Sequence, residues 1–462
     1  MFENIIAQAA ADQLKEDVLS HRLAPSMLFF GPEASGKSST AIELARTLSC
    51  ENTAAWNCGC SACCRHKSLV HTDLAMLGSR NFAAEIAATR AAFLREPASA
   101  AGRSLFIRSL RKLMARFSPA VWEYKPKSNK FNPLPVLQAV EEELNEFEYL
   151  ASASAESVNI AVPEKRNVLF KHTDSLMKNA LKLEDEWISD AVPVAQVRKA
   201  AYWSRLAPAG KRKTLIIEGA DRMEDEARNS LLKLLEEPPE TISIVLTAER
   251  REFVLPTILS RLRPYRFFTR NASREKEIIR RVFRENSAQE TGPDSTQSTE
   301  TKMVGQGLVK AYLDSFLPQP PEKLLPLAAF FVAAVSRSAA ALAKSRGGGI
   351  PPALITVGGY CAPIIEDAGF ERTTDTGETV QTLISQSKNF EGRSFPRFLA
   401  LTSDLVSSSL KQCSPDPNLI AFGDIWRKCL REAQSAKVVW NQRPELTLES
   451  LFFRLREELG KV

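Results

Sequence analysis

The chain has 462 residues, 44% of them hydrophobic and 25% charged, with a formal net charge of +6. That balance excludes collagen-like, disordered and disulfide-scaffold classes, and the length allows roughly three domains. No apolar run of about 18 residues or more is evident, and Met1-Phe-Glu-Asn-Ile-Ile6 lacks a basic lead and an apolar stretch, so we expect a cytoplasmic protein with no membrane partner.

The first fifty residues read as helix, strand, loop and helix, the opening of an α/β domain. The apolar run Met27-Leu-Phe-Phe30 leads into Gly31-Pro-Glu-Ala-Ser-Gly-Lys-Ser38, and a helical stretch follows from Ser39 to Arg46. Strand, Gly-rich loop and helix in that order make a P-loop. Its backbone N–H groups, from Gly31 through Ser35, Gly36 and Ser39, would cradle phosphates, with Lys37 on the terminal ones and the Ser38 hydroxyl on Mg²⁺. The same loop could also persist as a structural relic that binds nothing.

Five of the eight cysteines follow at once, as Cys50-x₇-Cys58-x-Cys60-x₂-Cys63-Cys64. A secreted disulfide framework would spread its cysteines, so this cluster favours a metal. Five thiols for four places leave Cys63 and Cys64 as alternatives beside Cys50, Cys58 and Cys60. His66 is a further candidate, and buried, unligated thiols are the bland alternative.

From about residue 80 to 190 the pattern is mainly helical and reads as an insertion. It starts basic, with Arg90, Arg95, Arg103, Arg108, Arg111, Lys112, Arg116, Lys125, Lys127 and Lys130, and turns acidic at Glu141-Glu-Glu143, Glu146 and Glu148. Phe117, Trp122, Tyr124 and Phe131 lie among the cations and could stack on bases. The favoured reading is a solvated helix face whose aromatic residues pack inward and whose cations pair with the acidic run.

The α/β pattern resumes with Lys213-Thr-Leu-Ile-Ile217, then Glu218-Gly219-Ala220-Asp221. An active NTPase of this kind carries Asp-Glu there. Glu218 can still serve a metal, but Gly219 cannot polarise a water, and losing such a group costs ~10²–10⁴ in rate. A second strand runs from Ile242 to Thr247. The polar stretch from Asn286 to Glu300 lacks periodicity and reads as a disordered loop, and Arg346-Gly-Gly-Gly-Ile-Pro-Pro352 as a domain boundary. From there to Val462 the pattern is helical, as in 395–410 and 448–459.

Together the motifs resemble the delta prime family of subunits of the bacterial DNA polymerase III clamp loader, which are AAA+ proteins. The resemblance rests on Phe2-Glu-Asn-Ile-Ile-Ala-Gln8, His21-Arg-Leu23, Ile217-Glu-Gly-Ala-Asp-Arg-Met223, Asn229-Ser-Leu-Leu-Lys-Leu-Leu-Glu-Glu-Pro-Pro-Glu240 and Leu255-Pro-Thr-Ile-Leu-Ser-Arg261. It covers about residues 1–79 and 190–270, not the insertion. It implies an α/β P-loop AAA+ fold with a RecA-like parallel sheet, a small helical lid and an all-α C-terminal collar. The expected boundaries are 1–268 for the nucleotide-binding domain with a zinc module at 50–64, 269–345 for the lid with its loop at 286–301, and 346–462 for the collar.

The resemblance also assigns roles. Ser260-Arg261 matches the family's Ser-Arg-Cys motif with Leu262 in place of Cys, so Arg261 would reach in trans to ATP on a neighbouring subunit. Thr247 resembles the residue that senses the γ-phosphate. The cysteines resemble a structural Zn²⁺ site, with Cys50, Cys58, Cys60 and Cys63 the favoured four, although the first spacing is a residue short. ATP or ADP, Mg²⁺ and Zn²⁺ are the implied cofactors. The gamma/tau and delta subunits, the sliding clamp and primed DNA are the implied partners. The expected role is a stator with weak or absent ATPase activity. Its rivals are a gamma/tau-type motor ATPase and a nucleic-acid-binding module built on the insertion.

Overall fold

Ser26-Met-Leu-Phe-Phe30 forms strand β1, buried along nearly its whole length. In the computed structural model it pairs in parallel with β4 (Ile242–Ala248) on one side and β5 (Arg263–Arg266) on the other. Strands β3 (Lys213–Glu218) and β2 (Leu74–Gly78) complete a five-stranded sheet in the order β2-β3-β4-β1-β5. The structure describes residues 1–78, 80–122, 132–157, 163–188, 191–284, 307–316, 324–347, 349–367, 376–387, 394–411, 418–439 and 443–461. Two compact units result, Met1–Leu317 and Pro318–Val462.

Parallel strands covered on both faces are apolar throughout, and alternate residues divide between two cores. Leu28, Leu77, Leu215, Ile217, Ile244 and Leu246 pack on one face with helices α8 (Val194–Arg205) and α9 (Asp225–Glu236). Met27, Phe29, Met76, Ile216, Val245 and Tyr265 pack on the other with α1 (Ala9–Leu19) and α2 (Lys37–Ser49). Buried Asp17 fastens α1 to the sheet edge by accepting from Tyr265 Oη at 2.6 Å and Arg263 Nη2 at 2.9 Å. This is the parallel α/β P-loop sheet expected.

Two strands went unanticipated. β2 is short and carries Ala75 and Gly78, weak strand formers. β5 is Arg-Pro-Tyr-Arg, and its proline is tolerated because the strand lies at the sheet edge.

A short α3 (Ser61–Lys67) lies in the cysteine segment. Beyond β2 come α4 (Phe82–Arg95), α5 (Ala100–Met114), α6 (Leu134–Ser157) and α7 (Pro163–Trp187). They enclose a core of their own, in which Phe93 and Phe106 meet Phe147 edge-on at 5.3 and 5.7 Å. Glu184 of α7 accepts from the N–H groups of Phe82 and Ala83 at 2.9 and 2.6 Å, satisfying the open donors at the start of α4. Much of the basic stretch is spent internally. Arg111 pairs with Glu148, Arg90 with Asp174, and Lys112 with Glu85. Phe117 and Trp122 pack against one another. Tyr124, Lys125, Lys127, Lys130 and Phe131 lie outside the described residues, as does the polar stretch from Asn286 to Glu300.

After the four-residue α10 (Pro256–Leu259), helices α11 (Ala272–Phe283) and α12 (Leu308–Asp314) follow the sheet. Phe283 packs with Ala88 and Ala92 of α4, and Arg95 donates to Phe283 O at 2.9 Å, so the insertion grips these helices too.

The second unit holds α13 (Leu324–Ser345), α14 (Pro352–Asp367), α15 (Thr376–Ser387), α16 (Ser394–Leu410), α17 (Asn418–Val439) and α18 (Pro444–Leu459) around one core. Residues of α13 were expected in the lid, with a boundary at 346. Instead the Gly-rich stretch joins two helices of that core, and α13 lies at its centre, with Phe331 against Phe398 and Phe452 at 5.5 and 6.1 Å. By length and hydropathy α13 is apolar enough to cross a membrane, but most of it is buried in this core.

Candidate nucleotide site and metal centre

The P-loop leaves β1 and enters α2 through left-handed conformations at Ala34 and at Gly36, where φ is +100°. A side chain at Gly36 would meet Arg270 Nη2 at 2.8 Å. Arg270 is fixed by donating to Ile6 O at 2.7 Å, and Gln8 Nε2 donates to Ser35 O and Phe268 O at 3.0 and 2.8 Å. The loop is thus held from behind by the N-terminal segment and the exit of β5. Ser35 Oγ is buried with no hydrogen-bond partner among the described residues, an unspent group that suits a phosphate ligand. Lys37 Nζ turns back onto Gly31 O and Pro32 O, each at 2.6 Å. Burial lowers its pKa, while Glu249, Asp221, Glu33 and Glu218 oppose that shift.

β3 ends beside the loop, and here the insertion intervenes. Ser38 Oγ donates to Glu218 Oε1, while Arg116 Nη2 donates to Oε2 of the same carboxylate. Arg80 Nη1 lies 3.5 Å from Oε1. Burial alone would raise the Glu218 carboxyl, but Arg116, Arg80 and the Ser38 hydroxyl hold it below its usual value, so it stays ionised. Ser38 and Glu218, the pair assigned to Mg²⁺, lie in contact. They do not offer the metal free oxygens, because two guanidinium groups hold the carboxylate. Mg²⁺ needs close octahedral oxygen ligands, and this arrangement does not fit it. Sequence reasoning missed Arg80 altogether and left Arg116 among ten similar cations.

Gly219 follows with φ +73°, and a side chain there would meet Arg222 Nη2 at 3.0 Å and Nε at 3.2 Å. No carboxylate stands at this position, and one could be fitted only with strain. Asp221 is used elsewhere, accepting from the N–H groups of Glu249 and Arg250 at 3.2 and 3.4 Å. Thr247 is buried near the end of β4, opposite Phe29 of β1, and Ala248 O accepts from Gly31 N at 3.2 Å.

Arg261 follows α10 at the surface. It donates to Thr257 O at 2.6 Å and to Glu236 Oε1 at 2.8 Å, and a third of its side chain is exposed. Leu262 turns into the core of the α8–α9 face, so this replacement alters packing behind the arginine rather than its charge.

The sulfurs of Cys50, Cys58, Cys60 and Cys63 lie within 4.8 Å of one another. Cys50 Sγ is 3.7 Å from Cys58 Sγ and 3.9 Å from Cys60 Sγ. Four thiolates at the usual Zn–S distance of ~2.3 Å stand ~3.8 Å apart in a tetrahedron, so the cluster fits Zn²⁺ as a closed structural site. The N–H groups of Ala54 and Asn52 donate to Cys50 Sγ at 3.2 and 3.3 Å, and Arg46 Nη1 to Cys63 Sγ at 3.0 Å. Such donors stabilise thiolate charge. Cys64 is exposed, its Sγ directed to Gly59 O at 3.5 Å. His66 is buried and stacked on His71 at 4.1 Å, outside the quartet.

Residues 6–125 and 151–271 match the family described as DNA polymerase III, delta subunit. Among solved structures, similarity is found to a DNA polymerase III gamma subunit-related protein from Thermotoga maritima. That likeness is at 20% identity and a TM-score of 0.29, over 59% of this chain and 80% of that one. No curated protein matches the sequence.

Proposed function

The chain belongs to the DNA polymerase III delta subunit family, and from that premise we propose that it acts as a delta-prime-like stator of the clamp loader. In this role it binds ATP or ADP at the Lys37 loop without appreciable turnover. It presents Arg261 to nucleotide on a neighbouring gamma/tau-type subunit. The assembly, with a delta partner, would load the sliding clamp on primed DNA in the cytoplasm. In this reading α11 and α12 belong to the lid and the helical second unit forms the collar.

The observation that carries the reading is Gly219, left-handed and covered by Arg222, where hydrolysis needs a carboxylate. The partial exposure of Arg261 supports a role in trans, since a guanidinium delivered to a transferring phosphoryl group is worth ~10³–10⁵ in rate. The cysteine cluster would hold structural Zn²⁺, stiffening the loop after α2 rather than supplying chemistry. The motor-ATPase reading keeps one argument, the complete P-loop sequence. Against it stands the same glycine.

The test is ATP turnover by the isolated chain and by the reconstituted loader, each as wild type and Arg261→Ala. We expect no turnover by the isolated chain, and a loss on the order of 10³-fold at the neighbouring site when Arg261 is removed. Brisk hydrolysis by the isolated chain, abolished by Lys37→Ala, would make it a motor.

A further inference from the structure

We propose that the insertion plugs the metal position of the P-loop: Arg116, assisted by Arg80, holds the Glu218 carboxylate that would join Ser38 in binding a divalent cation, so that any nucleotide held here is held without Mg²⁺. The proposal deepens the reading of a loop that binds nucleotide without turnover.

Both oxygens of Glu218 are committed, Oε1 to Ser38 and Arg80, Oε2 to Arg116. A guanidinium keeps its charge at any pH a protein survives, and its planar fork matches a carboxylate. Adding Mg²⁺ would bring a dication against Arg116 and Arg80, with one carboxylate between them. Like-charge repulsion in a buried setting opposes that strongly.

The arginines are also built in. Arg116 is fully buried, donates from Nε to Gly78 O at 3.0 Å, and lies over the Phe82 ring at 5.1 Å. Arg80 lies over the same ring at 5.8 Å and pairs with Glu85, which also takes Lys112. Gly78 closes β2, Phe82 opens α4, and Arg116 lies just past α5, so the first two helices of the insertion converge on the end of β3. Arg116 Nη1 is buried with no hydrogen-bond partner among the described residues, leaving one of its donors uncommitted. The same insertion grips α11 and α12 through Arg95, Ala88 and Ala92. A single module therefore holds the metal-facing carboxylate and the helices that follow the sheet.

The experiment is ATP binding to the full chain by calorimetry, in excess Mg²⁺ and in EDTA. It compares wild type with Arg80→Met/Arg116→Met and with Arg116→Gln, which keeps a donor for Gly78 O. Far-ultraviolet dichroism and metal content check folding. Wild type should bind equally in the two buffers within about twofold, and the variants should gain at least about tenfold in Mg²⁺ over EDTA as Ser38 and Glu218 become available to the cation. If wild type binds no ATP in either buffer but a variant gains Mg²⁺-dependent binding, the plug stands and nucleotide binding falls from the proposed function. Binding by wild type about tenfold tighter in Mg²⁺ would overturn the plug, as would folded variants that gain nothing. If neither variant folds, the wild-type comparison alone decides.

Discussion

Arg261 is tethered to Glu236 of the preceding helix α9 by a single 2.8 Å bond between half-open side chains, 33% and 48% exposed. A pair this exposed contributes at most ~1 kcal/mol, less than a phosphoryl group on a neighbouring subunit can offer a guanidinium. The tether is weak enough to be surrendered in the trans role proposed for the arginine. We therefore expect Glu236→Gln to leave urea stability within about 1 kcal/mol of wild type and loader ATPase within about fivefold. A larger loss of ATPase at unchanged stability would mean that Glu236 holds Arg261 in its working position.

The cysteine cluster gives a second expectation, which rests on Arg46. This residue of α2 pairs with Glu43, both side chains almost wholly buried, and donates to Ala54 O at 2.7 Å and Cys63 Sγ at 3.0 Å. It ties the P-loop helix to the cysteine loop. Removing one member of a buried pair strands the other charge, so Arg46→Ala should cost ~3–5 kcal/mol in urea unfolding. Elemental analysis should find about one Zn²⁺ per chain. Cys63→Ser should lose it, while Cys64→Ser, at the surface, should keep it. Full zinc in the Cys63→Ser protein would move the ligand to Cys64.

Legibility in the sequence follows how local the chemistry is. The P-loop is eight contiguous residues and the cysteine quartet spans fourteen, so spacing alone exposes both. β1, β3 and β4 are apolar runs that no amphipathic helix would carry. Arg116 shows the opposite case, because its partner Glu218 lies 102 residues away. Ten neighbouring cations look alike in one dimension, and only burial separates the one that meets β3 from those pairing across the helices. α13 was legible in principle. A helix apolar on nearly every face belongs in a core, a stronger sign than the glycines that follow it.

Gly219 invites a repair that should fail. Restoring a carboxylate with Gly219→Glu places a side chain at φ +73°, where an L-residue costs ~1–2 kcal/mol, and against Arg222 Nη2 at 3.0 Å. The new carboxylate would also meet the Arg222 guanidinium directly and pair with it rather than orient a water. We expect a loss of about 1–2 kcal/mol in stability and no ATP turnover above background. Measurable hydrolysis by this variant would show that the missing carboxylate was the sole defect of the site.

Acid should weaken the charged cluster behind Glu218 through Glu85. Burial alone would raise the Glu85 carboxyl, but Arg80 and Lys112 reverse that and hold it at about 2, below the ordinary value of 4.5. A carboxylate depressed on folding contributes stability that is complete above its unfolded pKa and is lost as pH falls through the folded one. The window is therefore from 4.5 down to about 2, and the contribution lost is on the order of 3 kcal/mol. Glu218 is lowered by Arg116 and Arg80 against the same burial and adds to the loss in the same direction. Urea unfolding of wild type at neutral pH and across that acid window should show the decline. Glu85→Gln should be less stable at neutral pH, because Arg80 and Lys112 lose their shared partner, but its stability should fall more gently with acid. Parallel curves for the two proteins would place the acid sensitivity in some other carboxylate.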